Sequence, residues 1–123
     1  MDEQEMKVYG EIFFKVKKEP SIKNPDDINY MKSDNYSTDV FFDNRPKETK
    51  TASLAFMLTQ LDPAIFVRIN GSTIVKLSNI KPLDNWQKSD VVEMKSGQTF
   101  DLSPLYAGWF RIMYKACRDS LEL

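Results

Sequence analysis

The sequence predicts a mostly-β domain of short antiparallel sheets, with one short central helix and a second helix at the C-terminus. Short apolar runs, several of them alternating with polar residues, are separated by turn-forming residues along most of the 123-residue chain. The spacing of apolar residues becomes helical near residue 54 and again after residue 103. A chain of this length is expected to form a single domain, residues 1–123, and can bury its own core.

The first part of the chain predicts strands joined by polar loops. Residues 7–16 place Val8, Ile12, Phe14 and Val16 on one face, which is the pattern of a strand. The stretch 19–27 contains two prolines among polar residues and therefore predicts a loop. The next elements are two strands, a turn and an exposed edge strand, at 28–31, 37–42, 43–46 and 47–51.

Two segments have the spacing of amphipathic helices. The first covers 53–61 and ends at Asp62-Pro63, because proline disfavours helix in the residue before it. The second begins at Ser103-Pro104, with serine as N-cap and proline in the first turn, and runs to about residue 119. Its apolar stripe is expected to pack on the β domain or to join a second copy, and consists of Tyr106, Trp109, Phe110, Met113 and Cys117.

Five short strands are predicted between the helices. They lie at 64–69, 72–77, 80–83, 90–95 and 98–102, and a turn at Ser96-Gly97 joins the last pair. Asn70-Gly71 separates the two most apolar strands. This pair suits positive φ at both positions, so it predicts a type I′ hairpin corner unless the turn is a tip that contacts a partner.

Composition argues against an enzyme. The chain has no histidine, which removes the commonest general base and the commonest zinc ligand. Its carboxylates are scattered, no glycine-rich phosphate loop occurs, and Cys117 is expected to be a packed small residue. We therefore expect no catalytic site, no metal, no cofactor and no small-molecule substrate.

Other features predict a soluble cytoplasmic protein without a membrane partner. No apolar run approaches the ~20 residues of a membrane helix, and the acidic N-terminus lacks the apolar core of a signal peptide. A single cysteine permits no internal disulfide. The net charge is −1, but residues 64–88 hold four basic residues and one acidic residue. That excess could neutralise a few phosphates, or could equally be ordinary solvated lysines.

The ordered motifs of this chain resemble those of the LytTR DNA-binding domain family. The resemblance lies in "FVRINGSTIVKLSNIKPLD" at 66–84 and "VVEMKSGQTFDLSPLY" at 91–106, with an upstream "DDINY" and Asn35-Tyr36. It covers about residues 8–116 and leaves residues 1–6 as an acidic tail. It implies a domain of short sheets, often the output end of bacterial response regulators, here in a stand-alone version without a receiver domain.

The resemblance also implies that loops, rather than a recognition helix, read duplex DNA. Three loops carry the implied contacts: Asn35, Tyr36 and Ser37; Asn70, Gly71 and Ser72; and Ser103 to Leu105. Arg68, Thr73 and Lys76 extend the predicted site along the neighbouring strands. Relatives often carry basic residues at the positions of Asn70 and Gly71, asparagine at that of Lys76, and a polar or basic residue at that of Leu105.

Two functions are compatible with these residues. The first is a small transcriptional regulator, in which Asn70 pairs with an adenine edge and Lys76 contacts phosphate. The alternative is a LytTR-like protein-interaction module that has lost DNA binding, which the missing basic residues and the C-terminal stripe would suit. If the stripe joins a second copy instead of packing on the β domain, the homodimer is expected to form through Trp109, Phe110 and Met113.

Overall fold

Five antiparallel strands form the central sheet of the protein, in a computed structural model that describes residues 24–121. β1 lies in the middle of the sheet because both β2 and β5 pair with it, Lys32 facing Asp39 on one side and Thr73 on the other. In order across the sheet, the strands are β3 (Glu48–Lys50), β2 (Ser37–Phe42), β1 (Ile28–Asp34), β5 (Thr73–Lys76) and β4 (Phe66–Asn70).

A second, two-stranded sheet consists of β6 (Val91–Glu93) and β7 (Thr99–Asp101). The predicted turn between them is confirmed, and Gly97 has a φ of 106°, a conformation that side chains rarely adopt. The strand predicted at 80–83 is wrong, since Ile80 makes only an isolated bridge to Met94. Pro82 has no N–H to donate to a neighbouring strand. Residues Leu77–Asn79, just before this segment, form a 3₁₀ turn.

The first predicted elements fall partly outside the described residues. The strand at 7–16 and the acidic tail lie there in full. The end of the predicted loop at 19–27 contains a short 3₁₀ helix, Pro25–Asp27, which leads into β1. β1 and β2 are both confirmed, but β1 runs on to Asp34, so the connection is a two-residue turn rather than the predicted 32–36. The edge strand β3 is also confirmed.

The central sheet has a separate apolar core on each face. Successive strand residues point to opposite faces, so Ile74 joins one core while Val75 joins the other. A bulge between Ile28 and Tyr30 shifts this parity in β1, which lets Ile28 and Met31 enter the same core. The mostly-β prediction with two helices is therefore confirmed, and the sheet is covered on both sides.

The short helix α1 (Leu54–Leu58) closes the first core. Its N-cap is Ser53, whose hydroxyl accepts a hydrogen bond from the Phe56 amide at 3.1 Å. Leu54 and Met57 are buried against the sheet, and Leu61 adds to them just after the helix. The predicted central helix is thus confirmed, although it is shorter than the predicted 53–61.

The C-terminal helix α2 (Pro104–Leu121) closes the second core. Ala107, Phe110 and Tyr114 are buried, and Met113 and Cys117 pack beside them. The predicted packing on the β domain is confirmed. Trp109 is the exception, because a step of 100° per residue turns it away from Phe110. It is 56% exposed and shares the outer face with Leu105 and Ile112.

Burial also corrects the predicted contact between two copies. Phe110 is completely buried in its own domain, and Met113 is packed against the same core. Phe110 therefore cannot meet a second copy without opening the fold, and Met113 is half-buried. Burial likewise raises the pKa of the half-buried Cys117 thiol, which favours its protonated form, as expected for a packed residue.

Candidate nucleic-acid interface

The three predicted contact loops meet at one end of the central sheet. The Ser33 amide, two residues before the 35–36 turn, donates to the Ser72 carbonyl at 2.9 Å. The Ser103 amide donates to the Ile69 carbonyl at 2.9 Å, which places the start of α2 beside the tip at 70–72. We call the surface formed by residues 35–37, 70–72 and 101–105 the loop face.

The 70–72 tip is closed by a side chain rather than by a left-handed backbone. Among residues 24–121, positive φ occurs only at Asn24, Asn35 and Gly97, so the predicted type I′ corner is wrong. Asn70 Oδ1 instead accepts from the Ser72 amide at 2.8 Å, as in an Asx-turn. A register shift in β4 just before the tip accommodates this geometry.

The Asn70 side chain already has partners on both of its polar atoms. Nδ2 donates to the Asp101 carbonyl at 2.8 Å. Oδ1 accepts from the Ser72 amide and, at 3.1 Å, from the Ser72 hydroxyl, which uses both lone pairs. A bidentate contact with adenine needs a donor and an acceptor, so it would require the Ser72 hydroxyl to turn away. In this structure Asn70 ties the tip to the end of β7.

Arg68 supports the same tip from the strand below it. Its Nη2 donates to the Gly71 carbonyl at 2.7 Å, and its Nε donates to the Asn70 carbonyl at 3.2 Å. The guanidinium lies 5.4 Å from the ring centre of Tyr106 at the start of α2. Arg68 therefore holds the tip and the start of α2 in position together. Its positively charged guanidinium is hydrogen-bonded to two backbone carbonyls.

The other two loops expose large apolar side chains. Tyr36 lies in the two-residue turn between β1 and β2 and is 91% exposed. Leu105, the second residue of α2, is 83% exposed. Ser37 braces the first of these loops, because its hydroxyl donates to the Asp34 carbonyl at 3.0 Å.

Besides Arg68, which lies on the strand below the tip, two predicted contact residues lie outside the loop face. Thr73 is completely buried between β1 and β4, so its side chain is closed to a large ligand. Lys76 lies four residues along β5 from Ser72, a distance of about 13 Å in a strand. Its Nζ donates to the Asp26 carbonyl at the opposite end of the sheet.

Charges at the loop face are mixed rather than basic. Lys32 lies beside the tip with its Nζ 5.4 Å from the Phe100 ring centre. Asp90 and Asp101 line the same cleft, which has a volume of about 730 Å³, and Asp34 precedes the 35–36 turn. The basic excess of residues 64–88 is not gathered here, because Lys76 lies at the other end and Lys81 pairs with Glu93 at 3.7 Å.

Sequence reasoning missed several residues that build this surface. Lys32 lines the cleft beside the tip. The Ser33 amide and the Asp101 carbonyl make hydrogen bonds to the tip, and the Tyr106 ring lies near the Arg68 guanidinium. Ser33 and Asp101 act through backbone atoms, which do not depend on residue type. No local sequence pattern therefore identifies them. Arg68 and Tyr106 were both among the matching motif positions, but only the folded chain brings them together.

Within residues 24–121, two other kinds of site are absent. No group of three or more histidine, cysteine or acidic side chains there is arranged to hold a metal ion. No helix in that part of the chain is long and apolar enough to cross a membrane.

The protein is a β-rich domain with a helix on each face of the central sheet and three loops at one end. The comparisons with known proteins identify a family of such domains. The family model of the LytTr DNA-binding domain matches residues 21–114. The chain therefore belongs to the LytTr DNA-binding domain family. That family is one of DNA-binding domains rather than enzymes, so membership supports DNA binding by this chain.

A solved structure shares this fold. It is the LytTr DNA-binding domain of a Bacillus cereus protein described as a methyl-accepting/DNA response regulator. The two are 23% identical in sequence with a TM-score of 0.62, and the match covers 72% of this chain and 81% of the other. No curated protein matches this chain.

Proposed function

We propose that this protein binds specific duplex DNA sequences through the loop face and thereby regulates transcription. The observation that carries the proposal is the convergence of the three loops, joined by hydrogen bonds from Ser33, Asn70 and Ser103. Residues far apart in the chain thus form one hydrogen-bonded surface, and loops that are held in place before binding lose less entropy on binding. Membership of a DNA-binding family supports duplex DNA as the partner.

The residues of the loop face divide into two roles. Tyr36, Gly71, Ser72 and Leu105 lie at the surface or partly reach it, and with Asn35, Ser37 and Ser103 they form the proposed contact surface. Asn70 and Arg68 act by holding the tip in position, since their polar atoms are bonded to the chain itself. Thr73 is buried and Lys76 lies at the opposite end of the sheet, so neither belongs to the proposed contact surface.

The experiment that tests sequence-specific binding is selection from a random duplex pool at a stated low salt concentration, followed by affinity measurement on the recovered duplex. We expect one motif to be enriched. Tyr36→Ala should weaken binding to it, whereas Phe56→Ala should not. Phe56 is a matched control because it is also an exposed aromatic residue, but it lies on α1.

A pool that shows no enrichment, even at low salt, would contradict the proposal and favour a protein-interaction module instead. The regulatory part needs a separate measurement. A promoter carrying the recovered motif should change its output when the chain is expressed, and Tyr36→Ala should abolish that change. Unchanged output with intact binding in vitro would refute regulation while leaving DNA binding in place.

A homodimer through the outer face of α2 is a second, independent part of the proposal. Of the three residues predicted for it, Trp109 alone is exposed, and Ile112 joins it at 61% exposure. Trp109, Ile112 and Ala116 recur at i, i+3 and i+7, the spacing of a coiled-coil seam. Sedimentation should show a dimer that Ile112→Glu dissociates; a monomeric parent protein would rule the dimer out.

A further inference from the structure

The two most exposed large apolar side chains among the described residues both lie on the loop face. Tyr36 is 91% exposed and Leu105 is 83% exposed, whereas Ile112, the next in order, is 61% exposed. Neither side chain contributes to either core of the fold. Folding therefore leaves about two full side chains of apolar area in water at the surface where the ligand is proposed to bind.

The backbone under both side chains is held firmly. Asn35 takes a left-handed conformation with φ of 57°, and Ser37 bonds across the turn to the Asp34 carbonyl. Leu105 sits in the first turn of α2, which Phe110 anchors in the core. Since little backbone motion is lost when such residues meet a ligand, their contacts keep most of their favourable free energy.

Among residues 24–121, two cations near these side chains already make contacts within the protein. Arg68 is bonded to two backbone carbonyls, and Lys32 lies over the Phe100 ring. Three carboxylates, those of Asp34, Asp90 and Asp101, lie at the same end. Release of counterions from phosphates can therefore supply only a small part of the affinity at this surface.

We infer that Tyr36 and Leu105 contact the bases of the duplex directly, and that these apolar contacts, rather than phosphate contacts, supply most of the affinity. The inference rests on the proposed function and specifies how it is achieved. Apolar side chains meet bases in two known ways, either against thymine methyl groups or wedged between base steps. Because neither contact neutralises a phosphate, a protein whose affinity comes mainly from such contacts depends only weakly on salt.

The first test measures the affinity for the recovered duplex across a range of salt concentrations. The logarithm of the association constant should fall against the logarithm of salt with a slope no steeper than about −3, as for three or fewer neutralised phosphates. Tyr36→Ala and Leu105→Ala should each weaken binding by about 10-fold or more and leave the slope unchanged. Tyr36→Phe should bind like the parent, because the ring rather than the hydroxyl makes the contact.

The matched controls are Phe56→Ala and Ile65→Ala, which remove exposed apolar side chains away from the loop face. Thermal unfolding should confirm that all five variants remain folded. A slope steeper than about −3, or apolar variants that bind like the parent, would overturn the inference while leaving sequence-specific binding intact. If the parent recovers no duplex at all, the proposed function fails and the inference fails with it.

The second test separates the two kinds of base contact. Replacing thymines of the recovered duplex by deoxyuridine, one at a time, should weaken binding wherever a methyl group is contacted. A 2-aminopurine probe should brighten on binding wherever a step is unstacked. Either result supports the inference. Loss of affinity in Tyr36→Ala and Leu105→Ala with neither effect would place the contacts on the sugar–phosphate backbone and overturn it.

Discussion

The two ends of the central sheet use their polar side chains in different ways. At the end opposite the loop face, Arg45 pairs with Asp27 at 3.3 Å and with Glu48 at 3.1 Å, and its guanidinium stacks 3.6 Å from the Phe42 ring centre. Asn79 donates there to Asn29 and Asp43. We call residues 26–29, 43–45 and 76–79 the distal end.

The loop face differs in what its internal bonds leave free. Its hydrogen bonds from Asn70, Ser103 and Arg68 join backbone to backbone or side chain to backbone, so they fix the shape of the loops. They leave Tyr36 and Leu105 exposed. At the distal end the charged groups neutralise one another instead. One end thus leaves large apolar side chains exposed, while charged side chains at the other end pair with one another.

The largest expected effect comes from removing the support of the loop face. Phe110→Ala should lower the free energy of unfolding by about 3–5 kcal/mol, because it empties a buried aromatic site under α2. Trp109→Ala, its neighbour on the outer face, should cost less than about 1 kcal/mol. Urea unfolding measures both. Equal costs would mean that α2 is not packed as described.

Each end of the sheet has an asparagine with a hydrogen-bonded side chain, Asn70 at the loop face and Asn79 at the distal end. The two allow a matched comparison. Asn70→Ala and Asn79→Ala should each cost about 1–2 kcal/mol of stability, since each removes two or more hydrogen bonds. Only Asn70→Ala should also weaken duplex binding, because it releases the tip. If both variants bind DNA equally well, the tip does not need to be held for binding.

Lysine provides a similar comparison for the salt dependence of binding. Lys32→Ala should flatten the logarithmic salt slope by roughly one, since Lys32 lines the cleft beside the tip. Lys76→Ala should leave the slope unchanged, because Lys76 bonds to the Asp26 carbonyl at the distal end. If Lys76→Ala flattens the slope and Lys32→Ala leaves it unchanged, the result would support the sequence-based prediction that Lys76 contacts phosphate.

The smallest effect concerns Asp39, which lies on β2 between the two ends. Hydrogen bonds from Thr49 and Lys47 hold its pKa below the usual range. Its stabilising contribution is therefore complete above the unfolded pKa of about 3.9 and is lost as the pH falls through the folded value. Asp39→Asn should be less stable than the parent at pH 7, and this gap should close in acid. Duplex binding at pH 7 should not change.

Much of the fold could be predicted from the chain alone. The helix start at Pro104 and the turn at Gly97 depend on neighbours within a few residues, so residue type was enough to place them. The candidate site was predicted less completely. Its loops were placed by their resemblance to a family, but which side chains face outward could not be read from their order.

The sequence by itself therefore determined the local elements, because capping, turn formation and apolar spacing act over one or two turns of chain. Tertiary structure alone decided the rest. Pairing of Lys32 with Thr73 across forty residues brought the loops together and carried Lys76 to the distal end. The bond from Asn70 Nδ2 to the Asp101 carbonyl likewise joins residues 31 apart in the chain, so in this structure the amide predicted to read a base holds the tip.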